Sequence, residues 1–224
     1  YRVTGLTAAT AYNFRIRAYK TSGNATAHSG YTNLSTLTSP TNVSNVTCAA
    51  RSYNSITLSW SRNTTATGYK LEQYKGGKWV QVAQINGNNT TSYRVTGLTA
   101  ATTYSFRIRA YKTSENATAH SGYTNLSTLT SPTNVSNVTC TARSYNSITL
   151  SWNRNTTATG YKLEQYKGGK WVQVAAVSGN KNVRCTVSKL SRNTVYRFRI
   201  RAYRVINGKT SNGGYTYINA RTTK

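Results

Sequence analysis

The sequence predicts an all-β protein made of tandem antiparallel seven-stranded β-sandwiches, and three observations support this. Apolar and polar residues alternate with a period of two along the apolar stretches, as in strands with one face in a core. Clusters of Gly, Asn, Ser and Thr separate these stretches, and none has the 3.6-residue period of a helix. The pattern also repeats: residues 93–112 recur at 1–20 and, more diverged, at 185–204, a period of 92 (93 − 1 and 185 − 93).

The repeat period divides the chain into one incomplete and two complete copies. Pro40 and Pro132 are the only prolines and lie 92 positions apart (132 − 40), so we place the start of each complete copy there. The predicted domains are residues 40–131 and 132–224, joined by a short segment that restricts the angle between them. Residues 1–39 are expected to supply only the last three strands of a preceding copy, which cannot bury a core alone.

The strands of the second copy follow in order from the alternation. The first carries Cys48, and the inward residues predicted for the next three are Ile56, Leu58 and Trp60, then Tyr69 and Leu71, then Val80 and Val82. Gly76 and Gly77 supply the positive φ of the hairpin turn before the fourth strand.

The second half of the copy contains three more predicted strands. A short fifth strand begins at Tyr93, and the sixth covers residues 103–112, with Tyr104, Phe106, Ile108 and Ala110 facing the core. The last strand covers 122–130, and the segment AHSG before it, with His28 and His120 in the first two copies, is expected to be a loop.

Leu98, Tyr104 six positions later, and the strand FRIRAY resemble the corner and sixth strand of fibronectin type III domains. The matching pairs in the three copies are Leu6 and Tyr12, Leu98 and Tyr104, Leu190 and Tyr196. The resemblance covers the whole chain. It implies that each tyrosine hydroxyl ties its strand to the preceding corner and that Trp60 and Trp152 fill the cores.

The near-identical, Thr-, Asn- and Tyr-rich copies resemble the bacterial branch of this family. Such domains occur in secreted carbohydrate-active enzymes and in cell-wall-attached surface proteins, which implies an extracellular or cell-surface location.

The charge is strongly basic, with 29 Lys and Arg against 3 acidic residues and a formal net charge of +26. Such a surface attracts polyanions at long range. Polysaccharide or anionic cell-wall polymer is therefore one expected partner, although solubility and mutual repulsion explain the charge equally well. Without a recognition helix or a nucleic-acid-binding fold, no specific nucleic acid is predicted. No apolar run is long enough to span a membrane.

Cysteine, histidine and acidic residues are too few to predict a catalytic, cofactor or metal site. Cys140 and Cys185 are expected on the first and fifth strands of one sheet, roughly 9–10 Å apart, too far for a disulfide. We interpret them and Cys48 as small buried apolar groups. The chain has no Asp, and another role is expected for each of its three Glu, so a Ser-His-acid set cannot be assembled. The sequence therefore predicts no catalytic residue, no cofactor and no metal site.

The best predicted ligand face is the outer side of the third, fourth and sixth strands. Its members in the two complete copies are Tyr74, Trp79, Arg107, Arg109 and Tyr111, and Tyr166, Trp171, Arg199, Arg201 and Tyr203. Exposed rings can stack on sugars and guanidinium groups can pair with carboxylate or phosphate. The alternative is that the arginines and rings only cover the sheet, with Glu72 and Glu164 paired to them.

Three functions remain open from the sequence. The first is a non-catalytic spacer, stalk or adhesive array of a bacterial surface or secreted protein that contacts anionic wall polymers or glycans. The second is an accessory linker or carbohydrate-binding segment of a large glycoside hydrolase. The third is a self-assembling repeat, in which a neighbouring copy of the chain completes residues 1–39.

Overall fold

The structure, a computed structural model, describes residues 1–115 and 117–224. All regular elements in those residues are β-strands, and no helix among them is long and apolar enough to cross a membrane. The strands are β1 (Ala11–Ile16), β2 (Tyr19–Ser22), β3 (Ala25–His28), β4 (Thr32–Leu37), β5 (Thr47–Arg51), β6 (Ser55–Ser59), β7 (Gly68–Lys75), β8 (Lys78–Asn86), β9 (Ser92–Thr96), β10 (Thr103–Ser114), β11 (Ala117–His120), β12 (Thr124–Leu129), β13 (Thr139–Arg143), β14 (Ile148–Ser151), β15 (Gly160–Lys167), β16 (Lys170–Ser178), β17 (Arg184–Val187), β18 (Val195–Ile206), β19 (Lys209–Asn212) and β20 (Thr216–Arg221).

These strands belong to two compact units. The first contains Tyr1–Thr47, Ser59–Tyr93 and Ser105–Leu126, and the second contains Cys48–Leu58, Arg94–Tyr104 and Ser127–Lys224. The predicted all-β, antiparallel fold class is confirmed.

The first unit contains a sheet in the order β11-β10-β7-β8, in which β12 also pairs with β10. Tyr69 is fully buried and packs edge-on against Trp60, with ring centroids 5.3 Å apart. The Tyr69 hydroxyl accepts a hydrogen bond from the Asn63 backbone N–H at 2.9 Å and donates one to the Asn88 carbonyl at 3.0 Å. Because both neighbours are backbone groups, this tyrosine joins the loop before β7 to the loop after β8, which lie at the same end of this antiparallel strand pair.

The incomplete copy differs from its prediction. Residues 1–10 form no strand, and the remaining segment folds into two pairs of short strands, β1 with β4 and β2 with β3. In the two complete copies the equivalent positions hold a strand, β9 or β17, which pairs with β6 or β14. No strand of the described residues takes that place beside residues 1–10, whose backbone bonds to other groups instead: the Thr7 N–H donates to the Tyr12 hydroxyl and the Ala9 N–H to the Ser39 carbonyl.

The second unit contains the complete third copy, built of two sheets around one core. The sheets are β13-β14-β17 and β16-β15-β18-β19, and β20 also pairs with β18. Between them lies a cluster of buried residues that includes Trp152, Tyr161, Leu163, Phe198 and Ile200. The sandwich follows from the alternation predicted in the sequence, since β14, β15 and β18 each contribute every second side chain to this cluster.

Cys140 and Cys185 lie in one sheet on either side of Leu150, which is the register partner of both. Two strand spacings therefore separate them, as predicted, and both thiols are free, as is that of Cys48. They are half-buried at the edge of the core rather than enclosed in it. Burial raises the pKa of the Cys185 thiol.

The tyrosine corner is present in all three copies. The hydroxyls of Tyr12, Tyr104 and Tyr196 accept hydrogen bonds from backbone N–H groups five residues earlier, at 2.9, 2.7 and 2.7 Å. This confirms the role that the family resemblance implied for them.

Two local features differ from the predicted strands. The register between β7 and β8 shifts after Leu71, so that Val82 is an extra residue and Val80, expected in the core, is 38% exposed. In addition, the first two residues of the segment AHSG, expected to be a loop, belong to strands: His120 of β11 is the partner of Tyr111, and β3 places His28 opposite Tyr19. Both histidines are therefore strand residues.

Candidate functional site

The outer face of the second copy is formed by β7, β8 and β10, and the strand register sets which side chains meet on it. Arg107 on β10 lies opposite Glu72 on β7, and Arg109 lies opposite Lys70. On the other side of β7, Tyr74 lies opposite Trp79 of β8. Because residues two apart on a strand share a face, these side chains form one continuous surface.

Glu72 is at the centre of this surface and both of its carboxylate oxygens are occupied. Arg107 donates from Nε to Oε2 at 2.7 Å and places Nη2 2.6 Å from the same oxygen. The Tyr123 hydroxyl donates to Oε1 at 2.7 Å. Burial acts to raise the pKa of Glu72, but the hydrogen bonds from Tyr123 and Arg107 outweigh it and hold that pKa below its ordinary value.

The arginines of the face are stacked between aromatic rings. The Arg107 guanidinium lies 3.8 Å from the centre of the Tyr123 ring and 4.6 Å from that of Trp79. Arg109 lies on the same Tyr123 ring at 4.7 Å. Tyr123 therefore holds two guanidinium groups on its ring and a carboxylate on its hydroxyl. Burial, together with the hydrogen bond to Glu72, raises the pKa of Tyr123.

The third copy repeats this arrangement on β15, β16 and β18. Arg199 donates from Nε to Glu164 Oε2 at 2.7 Å, and the Tyr215 hydroxyl donates to Oε1 at 2.7 Å. Arg199 lies 4.6 Å from the Trp171 ring and 3.8 Å from the Tyr215 ring, while Arg201 lies 4.7 Å from Tyr215. The pKa of Glu164 is again lowered, because hydrogen bonds from Tyr215 and Arg199 outweigh the opposing effect of burial.

The aromatic surface is larger in the third copy than in the second. Tyr217, in the position of Asn125, is 61% exposed and lies edge-on to Trp171 with ring centroids 5.7 Å apart. Arg197, in the position of Ser105, lies 4.9 Å from the ring of Tyr166. The third face thus has two groups that the second face lacks.

The other predicted members of the face differ in how far they are presented to solvent. Tyr74 and Tyr166 are exposed and lie edge-on to Trp79 and Trp171 at 5.3 and 5.2 Å, whereas both tryptophans are half-buried.

Tyr111 was predicted to be exposed on the face, but it is buried, with only 5% of the residue accessible. Its ring packs against Gly68, where an added Cβ would be 2.7 Å from the hydroxyl, and the hydroxyl donates to Asn86 Oδ1 at 2.8 Å. Tyr203 covers Gly160 in the same way, and it is half-buried. The two tyrosines fill the gap left by a glycine instead of offering a surface.

Sequence reasoning missed Tyr123 and Tyr215, which organise the two faces. It placed Tyr123 only within the range of the last strand, residues 122–130. A signal was available, because tyrosine recurs at this position in all three copies, and Tyr31 in the incomplete copy lies under Arg15 and Arg17 at 4.3 and 4.8 Å.

Within residues 1–115 and 117–224, no three His, Cys, Asp or Glu side chains are grouped closely enough to hold a metal ion. His120 packs on Tyr111 with ring centroids 6.5 Å apart. Burial, together with the charges of Arg109 and Lys70, lowers the pKa of His120, so this imidazole is neutral at neutral pH.

Comparisons with known proteins give the same family. Exoglucanase B of Cellulomonas fimi is 28% identical over 215 residues, which cover 89% of this chain and 19% of that protein. Chitinase A1 of Niallia circulans is 30% identical over 176 residues, which cover 74% of this chain and 22% of that protein. The chain therefore spans about a fifth of the length of these curated relatives.

Among solved structures, a two-domain fibronectin type III segment of chicken tenascin covers 81% of this chain and 99% of its own, with 19% identity and a TM-score of 0.44. The model of the family described as "Fibronectin type III domain" matches residues 39–122 and 131–216, more than half of the sequence. The chain belongs to the fibronectin type III domain family.

Proposed function

We propose that this chain is a non-catalytic repeat array of an extracellular bacterial protein, with domains at residues 40–131 and 132–224. In this proposal the copies act as spacer or adhesive modules and contact anionic wall polymers or glycans through their outer faces. One observation carries the proposal: the single carboxylate on each face is already bound by an arginine and a tyrosine. Arg201 lies 4.0 Å from Glu164 Oε1, whereas Lys70, Arg109 and Lys162 are outside the ion pairs of the described residues and remain available to an external anion, on a chain with net charge +26.

The same observation argues against acid–base catalysis on these faces. A general acid needs a pKa near the working pH. The carboxylates of Glu72 and Glu164 have lowered pKa values and are held in charge-assisted hydrogen bonds, so they stay ionised at neutral pH. Their geometry supports a binding surface rather than a reaction centre.

A second candidate function is an accessory segment of a polysaccharide-degrading enzyme, and the comparisons favour it. The two bacterial relatives are named as an exoglucanase and a chitinase, and the chain matches only a fifth of each. The gene sequence on either side of the segment that encodes residues 1–224 discriminates between the two. A hydrolase domain there favours the enzyme accessory, and a wall anchor or further copies favour the surface array.

The ligand part of the proposal is tested by binding the chain to wall polymers, acidic polysaccharides and neutral polysaccharides at low and high salt. The variant Trp79→Ala with Trp171→Ala removes the ring that faces Arg107 or Arg199 in each copy. Its matched control is Tyr53→Ala with Tyr145→Ala, two exposed rings that are also 92 positions apart (145 − 53).

Each outcome has a defined meaning. Binding of acidic polymers that is lost at high salt supports electrostatic contact, because exposed charges are screened beyond about 8 Å at physiological ionic strength. Binding that survives salt but is lost only in the tryptophan variant supports stacking on sugar rings. If no polymer binds, the faces only cover the sheets and the contact part of the proposal is wrong.

A further inference from the structure

A groove opens in the third copy between β16 and β17, the edge strands of its two sheets. Its volume is about 720 Å³, and it continues along the corner at residues 188–191 to the start of β18. Pockets that hold organic ligands typically measure about 300–1,000 Å³, so this groove is large enough for a short oligomer and too large for a single ion.

The lining of the groove combines three kinds of group. Val172 and Val174 are more than a third exposed and give it an apolar wall. Ser188 and Ser191 add hydroxyl groups along the corner. The exposed cations Lys167, Lys189 and Arg197 lie along the same lining. A fatty acyl chain needs a continuous apolar wall, whereas a sugar chain presents both apolar faces and hydroxyl groups, so the lining matches a sugar better.

Lys189 occupies a backbone position that disfavours it. Its φ is +60°, in the left-handed region, and the equivalent residues of the other copies are Gly5 and Gly97, with φ of +73° and +72°. Glycine adopts this conformation without strain and a lysine does not. Non-glycine residues in strained conformations cluster at functional sites. The third copy therefore carries a cation on this groove at a conformational cost that the other copies avoid.

Arg197 is a second cation that only the third copy has on this side, since Ser105 holds the position in the second copy. The carboxylate of Glu164 does not neutralise it, because Arg199 and Tyr215 occupy the two Glu164 oxygens. In the described parts of the chain, none of the ion pairs involves Arg197, Lys167 or Lys189. The cations of the groove therefore lack an internal anion.

We propose that this groove binds a short acidic oligosaccharide, with sugar carboxylates on Lys189 and Arg197 and apolar sugar faces on Val172 and Val174. A planar guanidinium pairs with a carboxylate through two parallel hydrogen bonds, and the hydroxyls of Ser188 and Ser191 are placed to bond sugar hydroxyls. This site goes beyond the proposed function, because it is confined to the third copy and takes its cations from Lys189 and Arg197 rather than from the arginines that bind Glu72 and Glu164.

The test is a calorimetric titration of the whole chain with trigalacturonate, in parallel with maltotriose as a neutral sugar and a glycerol phosphate trimer as a non-carboxylate anion. The variant Lys189→Gly with Arg197→Ser installs the residues of the second copy, which folds with them. Its control, Lys181→Asn with Arg192→Ala, also installs second-copy residues. It removes one lysine and one arginine too, but from positions outside the groove. Circular dichroism of each variant verifies the fold.

We expect trigalacturonate to bind, maltotriose to bind more weakly, and the groove variant to lose about tenfold in affinity while the control loses less than about twofold. The Trp79→Ala variant, which leaves the third copy unchanged, should keep this binding, and this separates a failure of the groove from a failure of the outer faces. The proposal is overturned if trigalacturonate does not bind, if both double variants lose affinity equally, or if maltotriose or the phosphate trimer binds as tightly.

Discussion

Replacing Glu72 and Glu164 together by glutamine tests whether each outer face is held by its one carboxylate. The substitution keeps the size and one acceptor oxygen of each side chain but removes the charge. It also turns an amide N–H₂ group toward Arg107 or Arg199, or toward the tyrosine hydroxyl. Because the two copies carry the same arrangement, changing both moves their unfolding transitions together.

The expected cost follows from the contacts. Each carboxylate accepts one hydrogen bond from an arginine and one from a tyrosine, and a hydrogen bond to a charged group contributes about 1.5–3 kcal/mol. Glutamine retains roughly one of the two bonds. The side chain of Arg107 is 25% exposed, so screening by solvent reduces the remaining loss to about 1–2 kcal/mol in each copy. For a domain of this size that corresponds to a decrease in Tm of about 5–15 °C.

The assay is thermal unfolding of the whole chain at pH 7 and at about pH 2, with Glu115→Gln as control, since Glu115 is exposed and outside the ion pairs of the described residues. The pKa of both face glutamates is lowered by folding, so their stabilisation is present above the ordinary glutamate pKa and is lost as the pH falls through the lower folded value. The double variant and the wild type should therefore converge at low pH. A Tm decrease at pH 7 no larger than that of Glu115→Gln, or one that persists unchanged at low pH, would refute the reasoning.

Three further predictions concern the fold itself. Tyr69→Phe with Tyr161→Phe leaves buried backbone groups at Asn63 and Asn155 without a partner, so urea unfolding should show a loss of about 1–3 kcal/mol per copy, against almost none for Tyr53→Phe with Tyr145→Phe. Gly68→Ala places a Cβ 2.2 Å from the Ile85 carbonyl and should cost about 1–3 kcal/mol or more, whereas Gly30→Ala, with nothing within 4 Å, should be nearly neutral in the same measurement. Thiol titration of the unfolded chain after mild oxidation of the folded monomer should still find three free thiols, because two strand spacings separate Cys140 from Cys185; an intramolecular crosslink would contradict the register.

Alternation was sufficient to predict the parts of the fold that depend on one strand at a time. The period-two pattern placed Phe106 and Ile108 in the core, and the spacing of Leu98 and Tyr104 predicted the corner hydrogen bond. The burial of Trp60 followed from the family resemblance. These features need only the direction of a side chain along its own strand.

Features that depend on a neighbouring strand were missed. Tyr111 follows the outward pattern of β10, yet it is buried because its partner on β7 is Gly68, which leaves room for the ring. The bulge at Val82 is a property of the register between two strands, and alternation within one strand does not reveal it. Tyr123 lies just before β12, whereas the face was predicted from the third, fourth and sixth strands only. Arg107 and Arg109 were predictable from the alternation within their own strand, but Tyr123 and its contacts with them depend on which strands are neighbours.

The most direct test of the central claim uses the four indole N–H signals of the whole chain in a ¹H–¹⁵N spectrum during titration with an acidic polysaccharide fragment. Trp60 and Trp152 lie in the cores, 5% and 4% exposed, and serve as internal controls for Trp79 and Trp171 on the faces. If the outer faces contact anionic glycans, only the Trp79 and Trp171 signals should shift at low salt, and the shifts should shrink as salt is added. No shift of these two signals, or an equal shift of all four, would contradict it.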